Sequence, residues 1–158
     1  MTTNPSNKRC LRAIAGGLMV TMFAPGLALA ALGQGGSSVE SDRAQLQAQR
    51  NITQSNGYSV HELTLPGGTQ VREYLSPSPQ IFAVAWNGPS IPDLQQLLGV
   101  YFPRYQSAAA RAARGLRRPV VLQEPDLVIQ SSGHARAFSG VAYLPQQMPS
   151  GMSTEQIR

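Results

Sequence analysis

Residues Ile81 to Trp86, IFAVAW, are six consecutive apolar side chains between a proline-punctuated link and the breaker sequence Asn87-Gly88-Pro89. In a strand, successive side chains point to opposite faces, so a strand apolar at every position must be interior to its sheet and covered on both sides. The chain therefore has to build a layer above and a layer below this strand. The only tryptophan, Trp86, closes the run. Its simplest role is a core or core-edge anchor whose indole N–H needs an acceptor. The competing reading makes it a ligand platform sharing an aromatic neighbourhood with Tyr58, Tyr74, Tyr101 and Tyr105.

Two segments before this strand alternate with period two, YSVHELTL and TQVREYLS, separated by Pro66-Gly67-Gly68. Charge selects their register. A two-residue loop would set Glu62 opposite Glu73, which is destabilising. A three-residue loop instead pairs Glu62 with Arg72, His61 with Glu73, Val60 with Tyr74 and Leu63 with Val71. It also leaves Gly68 free to take the left-handed bulge conformation. With IFAVAW this makes a three-strand meander.

After Trp86 the period changes. Leu94, Leu97, Leu98, Tyr101, Phe102, Tyr105, Ala108, Ala109 and Ala112 fall on one helical stripe, with Ser90-x-x-Asp93 as a capping signal at its start. Pro103 interrupts the stripe and would clash with the carbonyl of Gly99, which predicts a kink or break in one long helix. Three short strands follow: PVVLQ, DLVIQSS and ARAFSGVAYL. They are joined at Glu124-Pro125-Asp126 and at a tight turn over Ser132-Gly133-His134. Upstream, SSVESDRAQLQAQRN carries a Ser37-x-x-Glu40 capping box and predicts a thin-striped helix from about Ser38 to Arg50. The expected fold is α+β, with antiparallel β-meanders packed against one long, Pro-kinked amphipathic helix and a thin N-terminal helix. Residues 57–144 form the single domain, residues 31–56 a flexible ALGQGGSS leader and that helix, and residues 145–158 a Pro- and Met-rich tail with at most a brief helix capped by Ser153.

Residues 1–30 read as a signal peptide. Lys8, Arg9 and Arg12 precede an apolar run from Ala13 to Ala24, followed by Pro25-Gly26 and the small-x-small site Ala28-Leu29-Ala30. The run is shorter than the roughly 20 residues of a stable bilayer span. Lys8-Arg9 is no twin-arginine pair, and Cys10 lies before the apolar run, where no lipoprotein cysteine would. The expected mature chain starts at Ala31, is periplasmic or extracellular, and keeps no transmembrane anchor. The formal charge of +5 includes the three departing cations, so about +2 remains, too little to argue for a nucleic-acid partner. The single Cys departs as well, which removes disulfides, a thiol nucleophile and thiolate metal sites.

The segments GYSVHELTLPGGTQVREYLSP, FAVAWNGPSIPDLQQLLGVYF, DLVIQSSGHARAFSGVAYLP and the terminal IR together resemble a family of small exported proteobacterial proteins described only as a domain of unknown function. The resemblance spans about Gly57 to Arg158 and implies no activity and no assigned site residues. Pro79 departs from it, since similar proteins more often carry Gly there.

Chemistry must then be judged from individual residues. His61 and His134 are the only histidines, and the position four after His61 is Leu65, so no His-Glu-x-x-His motif exists. Together with a carboxylate they would supply three zinc ligands if the fold brought them together. A cross-strand His61–Glu73 pair and a turn His134 explain them more simply. Ser132-Gly133-His134 and Ser139-Gly140 lack the Gly-x-Ser-x-Gly elbow, and the few carboxylates, Glu62, Glu73, Asp93, Glu124 and Asp126, read as turn, cap or charge-paired residues. Arg104, Arg111, Arg114, Arg117 and Arg118 crowd the C-terminal half of the long helix. They point either to an anion-binding face or to compensation of the helix dipole. The sequence thus points to an exported binding or accessory protein without a cofactor. Its candidate ligand residues are Trp86, Tyr74, Tyr101 and Tyr105, and its partner is an envelope protein or an anionic envelope component. The alternative is a small hydrolase or metal-dependent enzyme built on His61 and His134.

Overall fold

The computed structural model describes Met1 and residues 32–78, 80–113 and 118–157. The expected signal peptide, residues 1–30 apart from Met1, and Pro79, Arg114 and Arg117 lie outside the described residues. Seven antiparallel strands form one sheet: β1 (Gln49–Ser55), β2 (Tyr58–Thr64), β3 (Gln70–Leu75), β4 (Ile81–Gly88), β5 (Val120–Gln123), β6 (Val128–His134) and β7 (Ala137–Tyr143). Their order across the sheet is β1-β2-β3-β4-β7-β6-β5, which makes β4 the central strand. All six residues from Ile81 to Trp86 are buried, as a strand covered on both faces requires.

The layer on one face is helical: α1 (Ser38–Gln45), α2 (Leu94–Leu98) and α3 (Phe102–Ala113), with a 3-10 turn over Gly99–Tyr101 between the last two. Pro103 occupies the second position of α3, where a missing amide hydrogen costs no helical bond. Val39, Leu97, Leu98 and Ala108 of this layer close over Leu63, Val71, Val84, Trp86, Ile129 and Ala142 of the sheet. The opposite face is covered in part by the C-terminal segment, whose Met148, Met152 and Ile157 meet Tyr74, Phe82, Ala83 and Ala85. Phe82 and Ala83 both face this side. The extra residue is absorbed as a bulge where Tyr74 pairs with Ala83 but Leu75 pairs with Ile81.

The first hairpin has the register that charge selects. Glu62 pairs with Arg72, His61 with Glu73, Val60 with Tyr74 and Leu63 with Val71, and Gly68 is left-handed at φ 83°. Several expectations are corrected. The N-terminal helix ends at Gln45, and residues 49–55, split between helix and loop in the sequence reading, form the edge strand β1, so the meander has four strands. A two-residue Asn56-Gly57 loop joins β1 to β2, with Gly57 at φ 84°. Ser37 makes no cap bond, and Asp93 rather than Ser90 caps α2 by accepting from the Gln96 amide. The leader is not loose: Leu32 is fully buried, Gly33 N donates to Ile81 O at 2.7 Å and Ile81 N donates to Gln34 O at 2.9 Å. The last hairpin turns at Ala135-Arg136, with Arg136 left-handed at φ 65°, because β6 runs on through His134. Ser153 does cap a short 3-10 helix, Thr154–Gln156, through a reciprocal capping box.

Candidate functional site

The sheet face opposite the helices is ordered in rows by the register. One row is polar throughout: Thr64, Gln70, Asn87, Ser139 and Ser132 stand side by side on β2, β3, β4, β7 and β6. The next row holds Glu62, Arg72, Ala85, Val141, Gln130 and Val121. A third row, with Val60, Tyr74, Ala83 and Tyr143, is apolar, and this is the row that the C-terminal segment covers. Tyr74 Oη donates to Gln156 O at 3.3 Å, fastening the segment's end. What stays open is a groove of about 530 Å³ over the first two rows, floored by Val141 and bounded by Pro119, Val121 and Ile157. Its one cation among the described residues, Arg72, donates to Glu62 at 2.9 Å and to the Gln70 side-chain oxygen at 3.2 Å.

A second polar constellation lies under the helices. Glu73, inward between Val71 and Leu75, is 1% exposed, and Asp42 of α1 is fully buried. Gln96 of α2 donates its side-chain amide to Asp42, while Asp42 Oδ2 and Glu73 Oε2 meet no hydrogen-bond partner among the described residues. Burial, then the neighbouring Asp42 carboxyl and its charge, raise Glu73 well above the ordinary carboxylate range, with Arg50 pulling the other way. Burial also raises Asp42, opposed by its neighbours Glu73 and Gln96. His61, the cross-strand neighbour of Glu73, is half-buried and is lowered first by burial and then by the charge of Arg50. This arrangement ties α1 to α2 through the Gln96–Asp42 bond and sets both against the inward carboxyl of Glu73.

The aromatic neighbourhood expected around Trp86 is divided by the sheet. Trp86 is 2% exposed and lies on the helical side against Gly140. Its indole nitrogen meets no acceptor among the described residues. Tyr101 and Tyr105 pack on the same side, Tyr105 stacking on Phe102 at 6.1 Å. Tyr74 lies on the other face, with Tyr58 and Phe82 at centroid distances of 6.2 Å. The histidines are not brought together either. His61 is on β2 and His134 at the far end of β6, four strand spacings across and five residues along, on the order of 25 Å apart. Among the described residues no three His, Cys, Asp or Glu side chains converge on a metal position. Of the arginine cluster, Arg111 and Arg118 are exposed. Arg104 is engaged: it grips Asp126 through two bonds of 2.8 Å, also meets Glu124, and lies 5.8 Å over the Tyr101 ring.

Asp42 and the polar row were missed in the sequence. Asp42 could have been found as the residue three after Val39, and four before Leu46, on an otherwise apolar stripe. No helix among the described residues is long and apolar enough to cross a membrane. No curated protein and no solved structure matches the chain. A family model does match, over residues 28–157, and on that match the chain belongs to the DUF2844 family, proteins of unknown function.

Proposed function

We propose that this protein is exported by the segment ending at Ala30 and acts in the cell envelope as a non-catalytic binding or accessory protein, with the groove opposite the helices as its ligand seat. The observation that carries the reading is the half-covered sheet face. The C-terminal segment covers the apolar row and leaves open a concave surface of amide and hydroxyl side chains over an apolar floor, the composition of a small-ligand site. Signal-like residues at the start of the sequence support the location.

Two measurements test this. Expression of the full chain in a Gram-negative host should yield a periplasmic protein whose N-terminus is Ala31; a cytoplasmic protein that keeps residues 1–30 refutes export. Amide NMR spectra of residues 31–158, recorded with fractionated envelope extract, should show shifts concentrated at Asn87, Gln130 and Ser139. Shifts confined to Arg111 and Arg118 would move the binding surface to the arginine face.

A further inference from the structure

The groove's lining narrows its ligand class, and this step rests on the groove being the ligand seat. Across β3, β4, β7 and β6 the backbone N–H and C=O groups are engaged in the sheet ladders. Nothing but side chains can address a ligand lying over these strands, so the main-chain pairing by which an extended peptide joins a sheet edge is not offered here. The side chains on offer are the amides of Asn87, Gln130 and Gln70 and the hydroxyls of Ser132 and Ser139. Each amide presents donors and an acceptor, and each hydroxyl presents both. Neighbouring groups along the row repeat at the strand spacing of about 4.8 Å. Ser132 and Ser139 stand 3.4 Å apart, a matched pair of donor–acceptor groups.

Charge points the same way. Arg72 is matched by Glu62 at 2.9 Å, so among the described residues that line the groove no charge is in surplus to attract a phosphate, carboxylate or ammonium group. The apolar floor at Val141 and Val121 suits the C–H faces of a ring, while the polar row suits groups that donate and accept at regular intervals. A chain of linked sugars offers both.

We propose that this groove binds a neutral oligosaccharide laid across β3, β4, β7 and β6, with Asn87 and Gln130 bonding its hydroxyls. The test titrates the mature chain with cellohexaose, maltohexaose and chitohexaose and with a printed array of neutral glycans. Hexagalacturonate and a neutral Gly/Ser/Asn decapeptide serve as comparisons. A neutral saccharide should bind with NMR shifts at Asn87 and Gln130, and with affinity unchanged between about 50 mM and about 500 mM salt. Asn87→Ala combined with Gln130→Ala, both at exposed positions, should weaken it about tenfold or more with the thermal midpoint unchanged. Glu62→Gln, which removes one negative charge beside Arg72, should raise affinity for hexagalacturonate above the wild-type level. Preference of the wild type for hexagalacturonate, or groove shifts with the decapeptide but with no saccharide, would overturn the neutral-sugar assignment while leaving the groove a ligand seat. A groove silent to every probe and to envelope extract would overturn both.

Discussion

Replacing Glu73 by Gln should change how stability depends on pH. Asp42, Glu73 and Gln96 are 0%, 1% and 3% exposed, so their charges cannot be relieved by water. Because the folded protein holds Glu73 above its ordinary carboxylate range, it keeps one proton that the unfolded chain has already lost. The stabilising share of that proton is fully present below the ordinary carboxylate value of about 4.3 and is lost as pH rises through the raised value. Within that window stability falls by about 1.4 kcal/mol per pH unit for the one extra proton. A glutamine amide binds no proton, so in Glu73→Gln that slope disappears. The variant then gains on the wild type by about 1.4 kcal/mol for each pH unit climbed through the window. Urea unfolding between about pH 4 and pH 8 measures this, with the emission of the buried, single tryptophan Trp86 as the probe. Asp42→Asn is the control: burial is the largest cause of the Glu73 shift, so most of the slope should survive there. A wild-type slope retained in Glu73→Gln would show that the proton is not held by Glu73 and refute this reasoning.

His61 contributes with the opposite sign. Its depressed value favours the neutral ring, so its stability share is present above the ordinary value near 6.5 and lost as pH falls through the depressed one. His61→Gln should flatten the acid side of the same urea profile. Gly140→Ala should cost about 1–3 kcal/mol in urea unfolding, because an added methyl group meets the Trp86 ring across the β4–β7 pair. Arg104→Met should cost no more than about 1 kcal/mol by chemical denaturation, with the difference shrinking at high salt, since Arg104 and its partners Glu124 and Asp126 are all partly exposed.

Where apolar pattern and charge agree, the fold can be read directly. IFAVAW leaves no option but a central strand, and opposed glutamates exclude the shorter loop, which sets β2 against β3 residue by residue. Reading failed where the deciding force leaves no pattern. QRNITQS is polar but for Ile52 and exposed along its whole length, because β1 is an edge held by main-chain bonds to β2. The signal for it was the Asn56-Gly57 loop, a strong two-residue hairpin marker. Gly133 misled in the opposite direction. It suggests a turn, yet it lies within β6, where the Phe138 ring sits against its backbone and would clash with any side chain. Glu73 was read as a cross-strand charge partner of His61, but the alternation Val71-x-Glu73-x-Leu75 already set it on the inward face.

The groove was illegible for a deeper reason. A polar residue at every second position is what a solvated sheet face requires, and it is equally what a hydroxyl-binding surface requires, so Gln70, Asn87, Ser132 and Ser139 carry no distinguishing mark in sequence. What separates the two cases is the neighbouring row. Val60, Tyr74 and Tyr143 on the same face would be an exposed apolar patch without a cover, and the C-terminal segment supplies one with Met148, Met152 and Ile157. By covering that row and packing against Ala85 beside it, the segment turns the sheet face into one bounded on a side, with Ile157 forming part of the groove's border. Since Gln156 accepts the Tyr74 hydroxyl hydrogen bond and also completes the Ser153 capping box, the border is held by the residue next to it. The Pro- and Met-rich tail, which reads as the least informative part of the sequence, is thus the element that gives the polar row its concave shape.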